Sequence, residues 1–173
     1  LIDDDEKKAV SIIEKKISDI SSQISSKWLY MMLQKIGIEN AEPEDEQLVH
    51  DLLKWMQENK ADFNNTFCYL MEYNHINDKV FEADSFKHWK NNWILRVKKE
   101  KNYLDVMKGV NPIFIPRNHL VENALEEADK GKINKFNSLI EVISKPYSFQ
   151  SKHEEYYLTP EVDETNYQTF CGT

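Results

Sequence analysis

Glycine and proline are scarce, at 4 and 5 of 173 residues. Few turns and few positive-φ positions disfavour a many-stranded β fold and favour long helices. Four glycines also leave little for a phosphate-cradling loop. No G-x-S-x-G elbow, P-loop or dinucleotide fingerprint occurs. Cysteine is nearly absent: Cys68 and Cys171 make no disulfide framework, which points to a reducing, intracellular setting. No apolar run approaches the roughly 20 residues that span a bilayer. Positive charge is the minority, 22 Lys and Arg against 30 Asp and Glu, for a net charge of −8. That balance argues against nucleic acid as a partner, which needs clustered cations, and against an anionic membrane surface. The acidic start Leu1-Ile2-Asp3-Asp4-Asp5-Glu6 is unlike a secretory signal. Beginning with Leu rather than Met, the chain reads as processed or as cut from a longer protein.

What is present is enough to fold: 40% hydrophobic and 12% aromatic residues, well above a disordered composition. Ile13, Ile17, Ile20, Ile24, Trp28 and Met31 recur at helical spacing. They predict one long amphipathic helix, or two with a break near Ser21-Ser22, ending at Lys35-Ile36-Gly37. The Glu-rich stretch from Glu39 to Glu46 reads as an exposed loop. Val49, Leu52, Leu53 and Met56 mark a second helix. Asp62 is a candidate N-cap for a third, with Phe63, Phe67, Leu70 and Met71 as its buried stripe. Ser85 is a candidate cap for a helix lined by Phe86, Trp89, Trp93 and Val97, and Tyr103 to Val110 suggests a further helical turn. Pro116 suits a first helical turn. It precedes a helix marked by Leu120, Val121, Ala124, Leu125 and Ala128 that stops at Gly131. Phe136, Leu139, Ile140 and Ile143 mark another, terminated by Pro146. The expected fold is an all-α irregular helical bundle. It divides into an N-terminal helical segment at 1–40, a helical core at 41–146 and an extended C-terminal tail at 147–173.

Candidate chemistry is thin. Among His50, His75, His88, His119 and His153 no pair has the i, i+4 spacing of a zinc helix. Expected catalytic and metal residues are therefore none. Cys68, on an aromatic helix, reads as a buried packing thiol. Asn64-Asn65-Thr66 fits the glycosylation pattern, but a capped helix start is the better reading. Lys87, Lys90, Arg96, Lys98, Lys99 and Lys101 read as the solvated side of the tryptophan helix. Arg117 would place a cation at a helix N-terminus, against the dipole, so it needs a specific partner, structural before catalytic. Cys171, next to Gly172, is either a reachable redox thiol or incidental.

Several elements together resemble the C-terminal part of the selenoprotein O family, pseudokinase-fold protein adenylyltransferases. Similar to the family's motifs are Lys35-Ile36-Gly37-Ile38 and Asp62-Phe63-Asn64-Asn65-Thr66-Phe67. So are Asn111-Pro112 followed by Arg117-Asn118 and Leu120, then Ala124, Ala128, Gly131 and the pair Pro146-Tyr147. The family ends in Cys or selenocysteine and two small residues, here Cys171-Gly172-Thr173. The tail departs from the pattern, with Phe170 before the cysteine and only Thr159-Pro160-Glu161 in place of a Pro-Pro-Trp-like run. The resemblance implies a kinase-like parent that uses ATP and Mg or Mn to transfer AMP to Ser, Thr or Tyr hydroxyls of client proteins. The family's nucleotide- and metal-binding residues have no counterparts here. This chain itself would bind no cofactor, would buttress the upstream kinase-like domain, and would carry Cys171 as a redox handle. Asn111, Pro112, Arg117 and Asn118 would be the structural family motif. The compartment implied is mitochondrial in a eukaryote and cytoplasmic in a bacterium. The alternative is a free-standing, non-enzymatic, acidic helical interaction module.

Overall fold

The structure, a computed structural model, describes residues 5–73, 79–149 and 155–157. These residues form α1 (Glu6–Lys35), α2 (Asp45–Glu58), α3 (Phe63–Leu70), a 3-10 turn (Lys79–Glu82), α4 (Asp84–Val97), α5 (Tyr103–Val110), α6 (Asn118–Asp129) and α7 (Asn134–Ile143). No strand occurs among them, and the all-α irregular arrangement expected from the sequence is what is found.

The first core gathers the C-terminal end of α1 with α2, α3, α4 and α5. Ile36, Val49, Leu52, Phe67, Phe86 and Met107 are fully buried in it. Three tryptophans pin the helices by their indole N–H groups, which need acceptors once buried. Trp93 donates to the Ile36 carbonyl at 2.8 Å, Trp89 to the Leu48 carbonyl at 2.9 Å and Trp55 to the Ser85 hydroxyl at 3.1 Å. Ser85 is therefore not a cap. It lies inside the first turn of α4, whose N-cap is Ala83, and its hydroxyl is taken by Trp55. The second core is smaller: Ile113, Phe114, Ala124, Leu139, Val142, Tyr156 and Tyr157. It holds the α6–α7 hairpin against the segment between α5 and α6. Tyr73 packs against both cores.

The junction after α1 depends on one glycine. Gly37 has φ +81°, and the N–H groups of Gly37 and Ile38 close on the Gln34 and Leu33 carbonyls at 3.0 and 2.9 Å, a Schellman-type stop. A Cβ there would also lie 2.9 Å from the Tyr103 Cβ and 3.0 Å from its carbonyl oxygen.

Besides the Ser85 cap, three expectations change and one open alternative is decided. Ser21-Ser22 does not break α1, because the Ser22 and Ser26 hydroxyls donate back to the Ser18 and Ser22 carbonyls and so stay inside the helical ladder. Phe63 is exposed rather than part of the α3 stripe. Pro116 lies one residue before Arg117, the N-cap of α6, rather than in the first turn of that helix. Finally, the Glu39–Glu46 stretch is not a simple exposed loop, since Asp45 is buried and starts α2. Of the segment expected to be an extended tail, residues 155–157 form a short 3-10 turn that buries Tyr156 and Tyr157. Residues 158–173, with Cys171, lie outside the described residues.

Candidate functional site

The Asp62-to-Phe67 stretch and the Asn111-to-Asn118 stretch meet. Asp62 has extended backbone and caps α3, its carboxylate accepting the Asn65 N–H at 2.7 Å. The same carboxylate accepts both ends of the Arg117 fork, at 2.8 and 3.1 Å. Arg117 also donates to the Asn65 side-chain oxygen at 2.9 Å, and Asn65 donates on to the Tyr157 carbonyl at 3.2 Å. The unfavourable cation at the start of α6 is thus held by an anion at the start of α3, where that helix's dipole favours it.

In the same turn of α3, Asn64 donates to the Ile113 carbonyl at 3.3 Å, and one turn further along the Cys68 thiol reaches the Pro112 carbonyl at 3.7 Å. Asn111 exchanges two bonds with Lys35 at the end of α1: its amide donates to the Lys35 carbonyl at 2.8 Å and its oxygen accepts from the Lys35 ammonium at 3.2 Å. That ammonium also lies 5.0 Å from the centre of the Phe67 ring. The Pro146 carbonyl accepts the Ile113 and Phe114 N–H groups at 2.7 and 3.1 Å. Ends of α1, α3, α6 and α7 are therefore tied through one non-helical segment, and its backbone polar groups find partners where water is excluded. Asn111 and Arg117 are buried, Pro112 is half-buried and Asn118 is exposed in the first turn of α6.

The electrostatics fit a scaffold. Burial pushes the Asp62 carboxyl up, but Arg117 and the α3 amides together outweigh it, so its pKa lies below its ordinary value. Burial, reinforced by the Asp62 charge, pushes the Cys68 thiol up to about 12. It is a neutral packing group, not a nucleophile. Asn64, Asn65 and Thr66 are all buried in α3, so the glycosylation pattern is sealed in the folded chain. Among the described residues no three His, Cys, Asp or Glu side chains gather as metal ligands.

A second knot was not anticipated. Arg96 does not belong to a solvated basic face; it is buried. It donates to both Asp45 oxygens at 2.7 and 2.8 Å, to Glu100 at 3.0 Å and to the Asn40 carbonyl at 2.7 Å. The rest of the basic run disperses: Lys99 pairs with Glu42, Lys87 lies beside Asp84, and Lys90 sits over the Tyr69 ring. The sequence signal lay in Glu100, one turn after Arg96, a helical pairing distance that the surrounding lysines masked.

The described surface carries several open grooves. One of ≈ 380 Å³ is lined by Glu42, Asp45, Leu48, Leu95, Arg96 and Lys99, one of ≈ 260 Å³ by His119, Asn123, Lys135, Leu139 and Tyr156, and one of ≈ 410 Å³ by Glu127, Gly131, Lys132, Asn134 and Lys135. None of these contains the Asp62–Arg117 pair.

The sequence that carries these contacts is matched elsewhere. Residues 8–144 match the family described as protein adenylyltransferase SelO. The chain belongs to that family. Curated relatives named protein nucleotidyltransferase YdiU align with nearly all of it. One from Bacillus cereus is 38% identical over 100% of this chain and 36% of its own length. One from Pelagibacter ubique is 36% identical over 100% and 37%, and one from Clostridium perfringens 40% identical over 95% and 34%. The chain thus spans about a third of the length of these SelO-family relatives. The Asp62–Arg117 and Lys35–Asn111 knots, as well as the buried Arg96, fall inside the matched region. No helix among its described residues is long and apolar enough to cross a membrane.

Proposed function

We propose that this chain is the C-terminal helical region of a protein adenylyltransferase with a kinase-like catalytic domain, and that it acts as scaffold rather than as reaction centre. The observation that carries the reading is the family match across residues 8–144, together with relatives named nucleotidyltransferases. In the reaction, a Ser, Thr or Tyr hydroxyl oxygen of a client protein bonds to the α-phosphorus of ATP. The bond to pyrophosphate breaks and the hydroxyl proton is lost. A divalent ion, Mg or Mn, would neutralise the phosphates. The described residues of this chain do not fit that ion, having no suitable cluster of ligands, so no step is assigned to them. Their part is to fix helix ends through Asp62, Asn111 and Arg117. Cys171 would serve as an accessible thiol for disulfide exchange. The compartment would be cytoplasmic for a bacterial source and mitochondrial for a eukaryotic one.

The test is mass-spectrometric mapping of acceptor proteins after incubation of the full-length polypeptide with ATP and Mg or Mn. AMP on Ser, Thr or Tyr supports the reading. Transfer of a different nucleotide, or of none, overturns it.

A further inference from the structure

The most conspicuous unused surface is on α1. None of residues 6–28 is buried. The core takes only the far end of the helix, through Met32, Leu33 and, just beyond it, Ile36. Yet Val10, Ile13, Ile17, Ile20, Ile24 and Met31 stand 40% to 63% exposed. The steps of 3, 4, 3 and 4 residues from Val10 to Ile24 average 3.5, the period of a seam facing a single partner helix, and Met31 follows one whole heptad after Ile24. At about 1.5 Å per residue the seam runs roughly 32 Å. It lies roughly 130° around the helix from the core-facing residues, so the two faces are separate. Glu14 and Lys16 flank its first half, at the positions that set partner choice in a coiled coil.

We infer that this seam is covered by one amphipathic helix from the remainder of the same polypeptide. That helix would present an apolar 3.5-residue stripe about three heptads long, with a cation facing Glu14 and an anion facing Lys16. This rests on the reading of the chain as part of a longer protein. Two observations select that occupant over a second copy. The relatives have about two thirds of their length beyond the aligned region, enough to hold such a helix. The area also falls short for two separate molecules. Six aliphatic side chains at about 60–120 Å² each bury on the order of 500 Å², whereas a stable interface takes roughly 800 Å² per partner. A helix in the same chain forms the contact at high effective concentration and needs less area.

The test places a photo-reactive phenylalanine derivative at position 17, 24 or, on the opposite face, 22 of the full-length polypeptide, and maps the cross-links by mass spectrometry. All three positions are exposed here, so the substitutions leave the fold of this region intact. Expected are cross-links within one polypeptide from 17 and 24 to a single helical segment outside these 173 residues, and none from 22. Cross-links between two copies, cross-links from all three positions, or none from 17 and 24 would overturn the inference. The readout needs no catalysis. A polypeptide that forms the cross-links but transfers no AMP would refute the proposed function alone.

Discussion

Arg117 shows how much one residue can tie together. It joins the starts of α3 and α6 and is only 8% exposed, while its partner Asp62 is 21% exposed. Breaking a buried pair strands the remaining charge. With Asp62 partly wet, Arg117→Ala should cost about 3 kcal/mol, the lower end for buried pairs. Urea denaturation measures this, and an unchanged midpoint would contradict it. The pH dependence has a definite sign. Asp62 and Glu100 are both driven up by burial but pulled further down, Asp62 by Arg117 and the α3 amides and Glu100 by Asn40 and Arg96. A depressed folded-state pKa gives stability that is complete above the unfolded-chain value and is lost as pH falls through the folded value. Stability should therefore be level down to about pH 5 and fall below about pH 4. In Arg117→Met, burial is the largest influence left on Asp62. The deficit relative to the wild type should thus shrink as pH falls, and a constant deficit would contradict the pairing. Cys68 should resist alkylation until the chain is denatured, whereas Cys171 should label at once. Equal labelling of the native chain would refute both roles. At this scale the sequence disclosed the Asp62 cap and the buried Cys68, because local helical pattern reveals both. It disclosed the need of Arg117 for a partner but not which one, since Asp62 lies far away in the chain. It hid Arg96, whose three acidic and carbonyl partners come from separate elements.

Among the elements, periodicity located α1 to α4, α6 and α7, and Tyr103 to Val110 suggested a helical turn where α5 lies. It did not reveal the 3-10 turn at Lys79–Glu82, nor what each helix faces. The stripe on α1 was legible as a stripe. That it would stand uncovered here was not, because the period of a seam does not say where the partner is. The serines near the middle of α1 left a break open as an alternative to one long helix, and the helix is unbroken, with the Ser22 and Ser26 hydroxyls satisfied within it. Two helix stops make a controlled comparison. Gly37 and Gly131 both have positive φ, at +81° and +79°, but only Gly37 is pressed against another element, Tyr103 of α5. Gly131→Ala should cost only the left-handed strain, about 1 kcal/mol. Gly37→Ala adds a clash with a backbone oxygen and should cost more, about 3 kcal/mol in all. Denaturation midpoints at constant slope measure both. Equal losses would mean that the α1–α5 junction is looser than described.

For the molecule as a whole, the two cores and the segment that joins them make a body whose buried charges, among the described residues, are paired with one another. Asp45 and Glu100 pair with Arg96, and the half-buried Asp62 pairs with Arg117; Asp45 and Arg96 also reach the wall of the ≈ 380 Å³ groove. The all-α class followed from scarce glycine and proline and from 3.6-residue patterning, and the family from motifs spread along the chain. What that spread could not convey is that the motifs converge, because it takes the fold to bring Asp62 to Arg117 and Lys35 to Asn111. The central claim is that this region supports nucleotide transfer without performing it. The most direct measurement incubates the 173-residue chain and, separately, the full-length polypeptide with labelled ATP, Mg or Mn and acceptor protein, and counts label on the acceptor. The account predicts label with the full-length polypeptide and background with the chain alone. Label transferred by the chain alone, and abolished by a point substitution within it, would contradict the account.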